Sequence, residues 1–421
     1  VTGLRARVAD GVLRGVRANG VTAFRGVPYA VPARRFGLPE PPEPWRGERD
    51  ASRFGPPVAQ RPGRMAWVPG LDLDPAEGDE GPLTLNVWTP GCDDARRPVL
   101  VFVHGGAFVS GSGAQPMYDG GPLARAHGLV VVTLNYRLGF LGFGHLPGVP
   151  ANLGLRDQIA ALRWVQHNAP AFGGDPARVT LAGHSAGATS VLALLTSPST
   201  QNLYARAAIL SAVPYGFTTP TQSLPLTEKV LGDVLGAVAG DGLLGVPLSA
   251  LLAAEAAAMA ACAPVAGLLP IAPVIDGELL PRHPMEAIRA GAAAPVPLLV
   301  STTTEEMRLF AAIDPPTLPY SVARTEELFD GPAGEIARAH RGPVCRVRFT
   351  RPAPLTHRGV PLGACHLADV PFYLGTWRDR RMAALVGDGV TAPARAATAA
   401  FAAFCQGEDQ PDFAGIPRLF G

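Results

Sequence analysis

The pentapeptide Gly183-His184-Ser185-Ala186-Gly187 constrains this chain more than any other segment. It follows the apolar run Val179-Thr180-Leu181-Ala182 and opens the small-residue segment Ala186-Gly187-Ala188-Thr189-Ser190. That order reads as strand, sharp turn, helix. A serine on such a turn holds its hydroxyl above the edge of a sheet. Glycines on either side let strand and helix pass without Cβ clashes. The helix N-terminus behind the serine favours negative charge developing in front of it. Ser185 is therefore read as a nucleophile.

The rest of the chain supplies a sheet for that turn. Val99–Val103 and the β-branched Leu129–Leu134 read as buried strands. Ala207–Leu210 and Pro297–Val300 read as further strands, and Val344–Phe349 as the last inner one. Leu155, Ile159, Leu162 and Val165 recur at helical spacing, and Pro170 stops that helix. The first 95 residues, rich in Pro, Gly and Arg, read as short strands and long loops. Strands alternating with helices imply an α/β fold, a mainly parallel sheet covered on both faces. Reactive groups then gather at the carboxyl ends of the strands. The Ala- and Leu-rich stretch from about residue 218 to 266 is expected to be a helical lid or side subdomain within one domain spanning residues 1–421.

Composition excludes several classes. A formal net charge of +1 argues against nucleic acid or anionic membrane as the main partner. No stretch approaches ~20 consecutive apolar residues, so no membrane span is expected. Val1–Arg5 carries no signal-peptide pattern, although the missing initiator Met leaves open whether the start was trimmed. The five cysteines are odd in number, widely spaced and without C-x-x-C. They are expected to be reduced thiols of a bacterial cytoplasmic protein, and neither a metal nor a cofactor is expected.

A serine nucleophile needs a base, a group that orients the base, and donors for an oxyanion. His104-Gly105-Gly106-Ala107-Phe108 directly follows the strand Val99–Val103, where backbone N–H groups can face a substrate oxygen. With the Ala186 N–H they form a three-donor oxyanion hole, and His104 is expected to be a hydrogen-bonder beneath the loop. Glu305 and Glu306 follow Pro297–Val300, and one of them orients a histidine or both are a solvated pair at a helix start. His366 lies late in the chain, after the acids. The order Ser185, acid, His366 carries the inference, since a lone histidine is more often structural.

These residues resemble the type-B carboxylesterases, a family of α/β-hydrolases. Phe24-Arg25-Gly26-Val27-Pro28-Tyr29-Ala30 is similar to the family's N-terminal signature, continued by Trp45, Phe54-Gly55-Pro56 and Gln60. Leu83-Thr84-Leu85-Asn86-Val87-Trp88 is similar to a second signature and Asn135-Tyr136-Arg137-Leu138-Gly139 to Phe143 to a third. Asn152–Gln158 and Phe172-Gly173-Gly174-Asp175-Pro176 lead into the serine turn as in the family. The resemblance implies Ser185 as nucleophile, Glu306 as triad acid, His366 as base, and Gly106, Ala107 and Ala186 as oxyanion donors. It also marks departures. His184 stands where the family usually has an acid, and Met307 and Leu367 where it prefers glycine. All three are candidate substrate-binding residues. The family cysteines near Val58 and Gly81 are absent, which removes its usual first disulfide.

The expected activity is hydrolysis of a small carboxylic ester through an acyl-enzyme. His184 in place of the acid, with 7% aromatic residues, weighs against a quaternary ammonium substrate. The alternatives are acyl transfer or cyclisation in natural-product assembly at the same site, and a non-catalytic binding relative.

Overall fold

Strands buried along nearly their whole length build the centre of the molecule. The computed structural model describes residues 4–73, 80, 83–235 and 242–413. Its central sheet contains, in chain order, β1 (Val16–Ala18), β2 (Val21–Pro32), β3 (Leu83–Thr89), β4 (Arg97–Val103), β5 (Val130–Leu134), β6 (Gly174–His184), β7 (Arg206–Leu210), β8 (Leu298–Thr303) and β9 (Val344–Phe349). The spatial order is β9-β8-β7-β6-β4-β5-β3-β2-β1, with Pro39–Glu40 pairing on β2. From β5 through β4 to β9 every pairing is parallel. The pairings of β5 with β3, β3 with β2 and β2 with β1 are antiparallel.

Helices cover both faces, as runs such as Val99–Val103 require. Val99, Val101 and Val103 point to one face with Leu155, Ile159 and Leu162 of α2 (Leu153–Asn168) and Val191 and Leu194 of α3 (Ala186–Thr196). Leu100 and Phe102 point to the other, with Leu123 of α1 (Gly121–His127) and Phe401 and Phe404 of the C-terminal helix Thr391–Gln406. The inserted segment between β7 and β8 carries α4 (Pro220–Leu235) and α5 (Leu248–Ala261). Val230, Val234, Leu251 and Ala258 of these helices pack on Phe36, Phe140 and Leu141. Residues 236–241 of this segment lie outside the described residues.

Three strands differ from their sequence pattern. The N-terminal region contains a 12-residue strand, β2, paired along much of its length with the fully buried β3. Gly and Pro within it are accommodated at register shifts between Phe24 and Val27 and between Pro28 and Ala30. Strand β8 continues through the polar Ser301-Thr302-Thr303. Partners accept that polarity: the Ser301 hydroxyl lies 2.8 Å from the Tyr373 hydroxyl, and Thr302 donates to Asp330 at 2.8 Å. Finally, β9 is an edge strand rather than an inner one, and its alternation of half-buried and buried residues fits that position.

A buried ion pair ties the sheet to its covering helix. After β5, the Arg137 guanidinium donates to Asp157 of α2 through Nη2 at 2.6 Å and Nε at 2.8 Å. The Arg137 backbone N–H adds a bond of 3.0 Å to the same carboxylate, and Nη1 reaches the Gly37 carbonyl at 2.7 Å. Both side chains are almost fully enclosed. Removing one member of such a pair strands the other charge in low dielectric, at a cost of about 3–5 kcal/mol. Urea unfolding is expected to show Arg137→Met losing stability on that scale. The double variant Arg137→Met/Asp157→Leu should recover much of the loss, because no unpaired carboxylate remains.

Candidate active site

Ser185 sits between β6 and α3 with φ 59° and ψ −125°, a conformation L-residues rarely adopt. Two features hold it there. Its N–H donates to the Leu210 carbonyl at the end of β7, at 2.9 Å, and its carbonyl accepts from Thr189 of α3 at 2.9 Å. Gly187 allows the crossing: a Cβ there would lie 2.2 Å from the Val103 carbonyl oxygen of β4. Close strand–helix packing and a strained serine are thus the same feature.

The loop after β4 comes to the same edge. Gly106 has φ 122°, and a Cβ on it would collide with the Ser110 carbonyl at 1.8 Å. Its own carbonyl accepts from the N–H groups of Val109 and Ser110 at 3.0 Å each. Ala107 and Phe108 follow with φ of 54° and 63°. The loop presses on the nucleophile, since a Cβ on Gly105 would lie 2.9 Å from Ser185 Cβ. Among the described residues, the N–H groups of Gly106, Ala107 and Ala186 have no protein acceptor. For Ala186 this follows from its place in the first turn of α3. His104 lies beneath: its Nδ1 bonds the Gly105 carbonyl at 2.7 Å and its ring stacks on Tyr136 at 4.5 Å. Burial pushes its imidazole down to about 4, so it is neutral at physiological pH.

The acid and the histidine meet in the interior. His366 Nδ1 donates to Glu306 Oε2 at 2.6 Å, with both side chains almost wholly buried. The other oxygen of Glu306 accepts the Ser211 hydroxyl at 2.7 Å and the Thr303 N–H at 2.7 Å. Ser211 follows β7 and Thr303 ends β8, so two adjacent strand ends fix one carboxylate. Burial works against charge on both partners. It pushes the Glu306 carboxyl up, against the Thr303 and Ser211 donors that pull it down, and it pushes the His366 imidazole down. The resting imidazole is therefore neutral. His366 Nε2 is buried and has no hydrogen-bond partner among the described residues. In the absence of substrate the bond from a nucleophile to such a base is often long or misaligned.

Glu305 is separate from this pair. It accepts from the Ala364 N–H at 2.8 Å and pairs with Arg308 at 2.6 Å. His184 joins the site through its ring, which lies 4.6 Å from that of His366 at 44°. It is buried and held neutral, well below the ordinary imidazole value, by desolvation and then by His366. Met307 opens the helix Met307–Ile313 and buries its side chain in the core on the α3 face. Leu367 has φ 69°, which favours glycine, and packs into the opposite face. Neither side chain is exposed.

Four neighbours escaped sequence reasoning. Ser211 and Thr303 hold the acid. Phe310 and Phe329 place their rings 5.2 and 5.3 Å from His366. Ser211 had a usable signal: it is the first polar residue past a strand adjacent to the serine strand, at the edge where reactive groups collect. A further buried carboxyl, Asp369, contacts Ser301 at 3.4 Å and is pushed up to about 8 by burial and then by Glu306. Its protonated form is thereby favoured beside the Glu306–His366 pair. Among the described residues no group of three or more His, Cys, Asp or Glu side chains is arranged to hold a metal ion. The elements present can therefore remove a proton from Ser185, orient the base that takes it, and donate to a developing oxyanion.

The same arrangement of sequence is found in known proteins. The profile of the Carboxylesterase family matches residues 3–330, which include Ser185 and Glu306 but not His366. The para-nitrobenzyl esterase of Bacillus subtilis is 39% identical over 72% of this chain, and the match takes in 63% of that protein. The phenmedipham hydrolase of Pseudarthrobacter oxydans is 35% identical over 87% of this chain and 82% of its own length. In three dimensions, a PNB esterase structure superposes with a TM-score of 0.88 at 31% identity, covering 99% of this chain and 93% of that one. The Geobacillus stearothermophilus carboxylesterase EST55 gives 0.85 at 33% identity, covering 99% and 94%. These relatives are named as esterases, a hydrolase and a carboxylesterase, which does not favour the acyl-transfer or non-catalytic readings. The parallel sheet, the serine turn on β6 and these matches together place the chain in the carboxylesterase family, with its α/β-hydrolase fold.

Proposed function

We propose that this carboxylesterase hydrolyses neutral carboxylic esters through an acyl-enzyme on Ser185. The observation that carries the reading is the 2.6 Å bond from His366 to a Glu306 carboxylate already anchored by Ser211 and Thr303. His366 lies against the ring of His184, the residue before a serine held in a strained strand-to-helix turn.

The chemistry follows from the positions. Neutral His366 takes the Ser185 proton at Nε2 as Oγ forms a bond to the ester carbonyl carbon. Glu306 holds the tautomer with the proton on Nδ1 and stabilises the imidazolium. The carbonyl oxygen becomes an oxyanion facing the N–H groups of Gly106, Ala107 and Ala186, each worth about 3 kcal/mol in the transition state. The ester C–O bond breaks and the alcohol leaves with the proton from His366. Water then attacks the acyl-enzyme by the same steps, releasing the acid and restoring Ser185.

Substrate preference is supported by what surrounds His366. Phe310 and Phe329 supply aromatic faces, and neutral His184 replaces the carboxylate usual before the serine. Apolar or aromatic neutral esters suit such walls. Proteins named para-nitrobenzyl esterase, phenmedipham hydrolase and fumonisin B1 esterase are among the similar sequences. Among the described residues no disulfide joins the five cysteines, which fits our placement of the protein in a reducing, cytoplasmic compartment. Among the described residues no helix is long and apolar enough to cross a membrane.

A p-nitrophenyl ester series from acetate to decanoate should show turnover that falls roughly ten-thousandfold or more in Ser185→Ala. Mass spectrometry should find a phosphonate adduct on Ser185. Turnover intact in the alanine variant overturns the reading.

The acid limb of kcat/KM reports the first proton taken up by the coupled Glu306–His366 pair. The Ser211 hydroxyl donates to the carboxylate and so favours the unprotonated, active pair. Losing a charge-assisted bond of about 1.5 kcal/mol moves a pKa by roughly one pH unit. Ser211→Ala is therefore expected to shift the limb upward by about that much. An unmoved limb would mean that the Ser211 bond does not tune the base.

Restoring an acid beside the nucleophile tests the substrate class. In His184→Glu, the ratio of kcat/KM for a choline ester over its neutral isostere should rise about tenfold, equivalent to about 1.4 kcal/mol of added attraction. A ratio that stays constant would remove His184 from substrate selection.

A further inference from the structure

We infer that Glu255, on an inserted helix and far from the nucleophile in sequence, is a positioning residue for the oxyanion loop. The inference rests on the reading above, in which Gly106 and Ala107 donate to the oxyanion.

Glu255 belongs to α5, whose other inward residues Leu251, Ala254 and Ala258 are apolar. A carboxylate at 5% exposure in that company is costly, and an apolar residue would pack at least as well. Its Oε2 accepts the Phe140 N–H at 2.7 Å, a bond spanning 115 residues. Phe140 lies in the short turn of helix after Arg137-Leu138.

That turn is the support on which the oxyanion loop rests. The Gly139 N–H donates to the Phe108 carbonyl at 2.6 Å. The Phe108 ring packs on Phe143 at 4.6 Å, and the Tyr136 hydroxyl donates to the His104 carbonyl at 2.9 Å. Segment 136–143 therefore grips the loop 104–108 at both ends. Gly139 has φ 56°, and a Cβ there would lie 2.3 Å from Glu255 Oε2. The carboxylate thus fills the space against Gly139 while bonding the next N–H. A displaced Gly139–Phe140 peptide would carry the Phe108 carbonyl with it. Ala107 and Phe108 occupy consecutive left-handed conformations, so their peptide planes have little freedom to compensate. Donor direction at Gly106 and Ala107 then depends on a side chain from the insertion. An oxyanion hole loses much of its effect when its donors are misaimed, because they act only when pre-oriented.

The test compares Glu255→Ala and Glu255→Gln with the wild-type full chain, each verified by circular dichroism and assayed well below its melting temperature. The readouts are kcat and KM for a p-nitrophenyl ester, and Ki for an aryl trifluoromethyl ketone, whose adduct mimics the tetrahedral oxyanion. For Glu255→Ala, kcat should fall about tenfold and Ki weaken about tenfold, with KM within twofold. Glu255→Gln keeps an oxygen acceptor and should recover most of both. If the alanine variant does not fold, Glu255→Leu, which fills the volume, carries the same expectation. A folded variant with kcat and Ki within twofold of wild type overturns the inference, as does equal loss in the Gln and Ala variants. Phosphonate labelling keeps the two readings apart. Full labelling at Ser185 with unaffected kcat in the Glu255 variants defeats the positioning role alone, whereas no labelling of wild-type Ser185 defeats the parent reading and this inference together.

Discussion

Glu306 is an anion in a place that water does not reach, and hydrogen bonds are what can keep it charged there. Desolvation alone would return the proton to the carboxyl and leave His366 without an orienting charge. Three donors oppose that: the His366 Nδ1–H, the Ser211 hydroxyl and the Thr303 N–H. Each comes from a different element, and two come from the carboxyl ends of neighbouring parallel strands. The register of β7 on β8, with Leu210 opposite Ser301, is therefore part of what holds the acid of the proposed triad. A one-residue slip of β8 along β7 would move Glu306 away from Ser211 and remove that hydroxyl from the acid.

Backbone strain collects at the same edge. Ala107, Phe108, Ser185, Ser211 and Leu367 all have positive φ. Each is a non-glycine residue held in a sparsely populated region, at a cost of order 1–3 kcal/mol. Such conformations persist when surrounding bonds over-determine them, and the described bonds do this. Ser185 is fixed by the Leu210 carbonyl, and Ser211 N–H by the Ser301 carbonyl at 2.8 Å. Regular packing of Val99–Val103 and Val130–Leu134 between helices stabilises the sheet that carries the strained turns. Order in the middle of the sheet is what permits irregularity at its end.

The sequence disclosed most where side-chain pattern and backbone conformation coincide. Gly183–Gly187 announces its turn because only small residues fit the crossing of β6 and α3, and the apolar runs announce their strands because both sheet faces are covered. Legibility failed where a contact depends on tertiary register. Nothing in the adjacent Glu305-Glu306 separates the pair, yet one carboxylate bonds His366 and the other ties Ala364 and Arg308 at the surface. The hydroxyl run Ser301-Thr302-Thr303 reads as a loop because its partners Tyr373, Asp369 and Asp330 come from elsewhere in the chain. Ser211 and Glu255 belong to the same class, with bonds spanning 95 and 115 residues.

His184 shows how a local departure is absorbed by this framework. In the proposed mechanism, His366 takes the serine proton and becomes a cation beside the His184 ring, 4.6 Å away. A carboxylate at position 184 would share in stabilising that cation, and an imidazolium would oppose it. A neutral imidazole does neither at full strength, and burial together with His366 keeps His184 neutral. In the proposed mechanism Glu306 is the carboxylate bonded to the His366 imidazole, and burial together with Glu306 favours the protonated form of Asp369. One anion, one imidazolium and one oxyanion is a set the site can neutralise with a single acid and three peptide dipoles. In the function proposed here, the histidine at 184 and the enclosure of Asp369 act in the same direction, and both favour neutral esters over cationic ones.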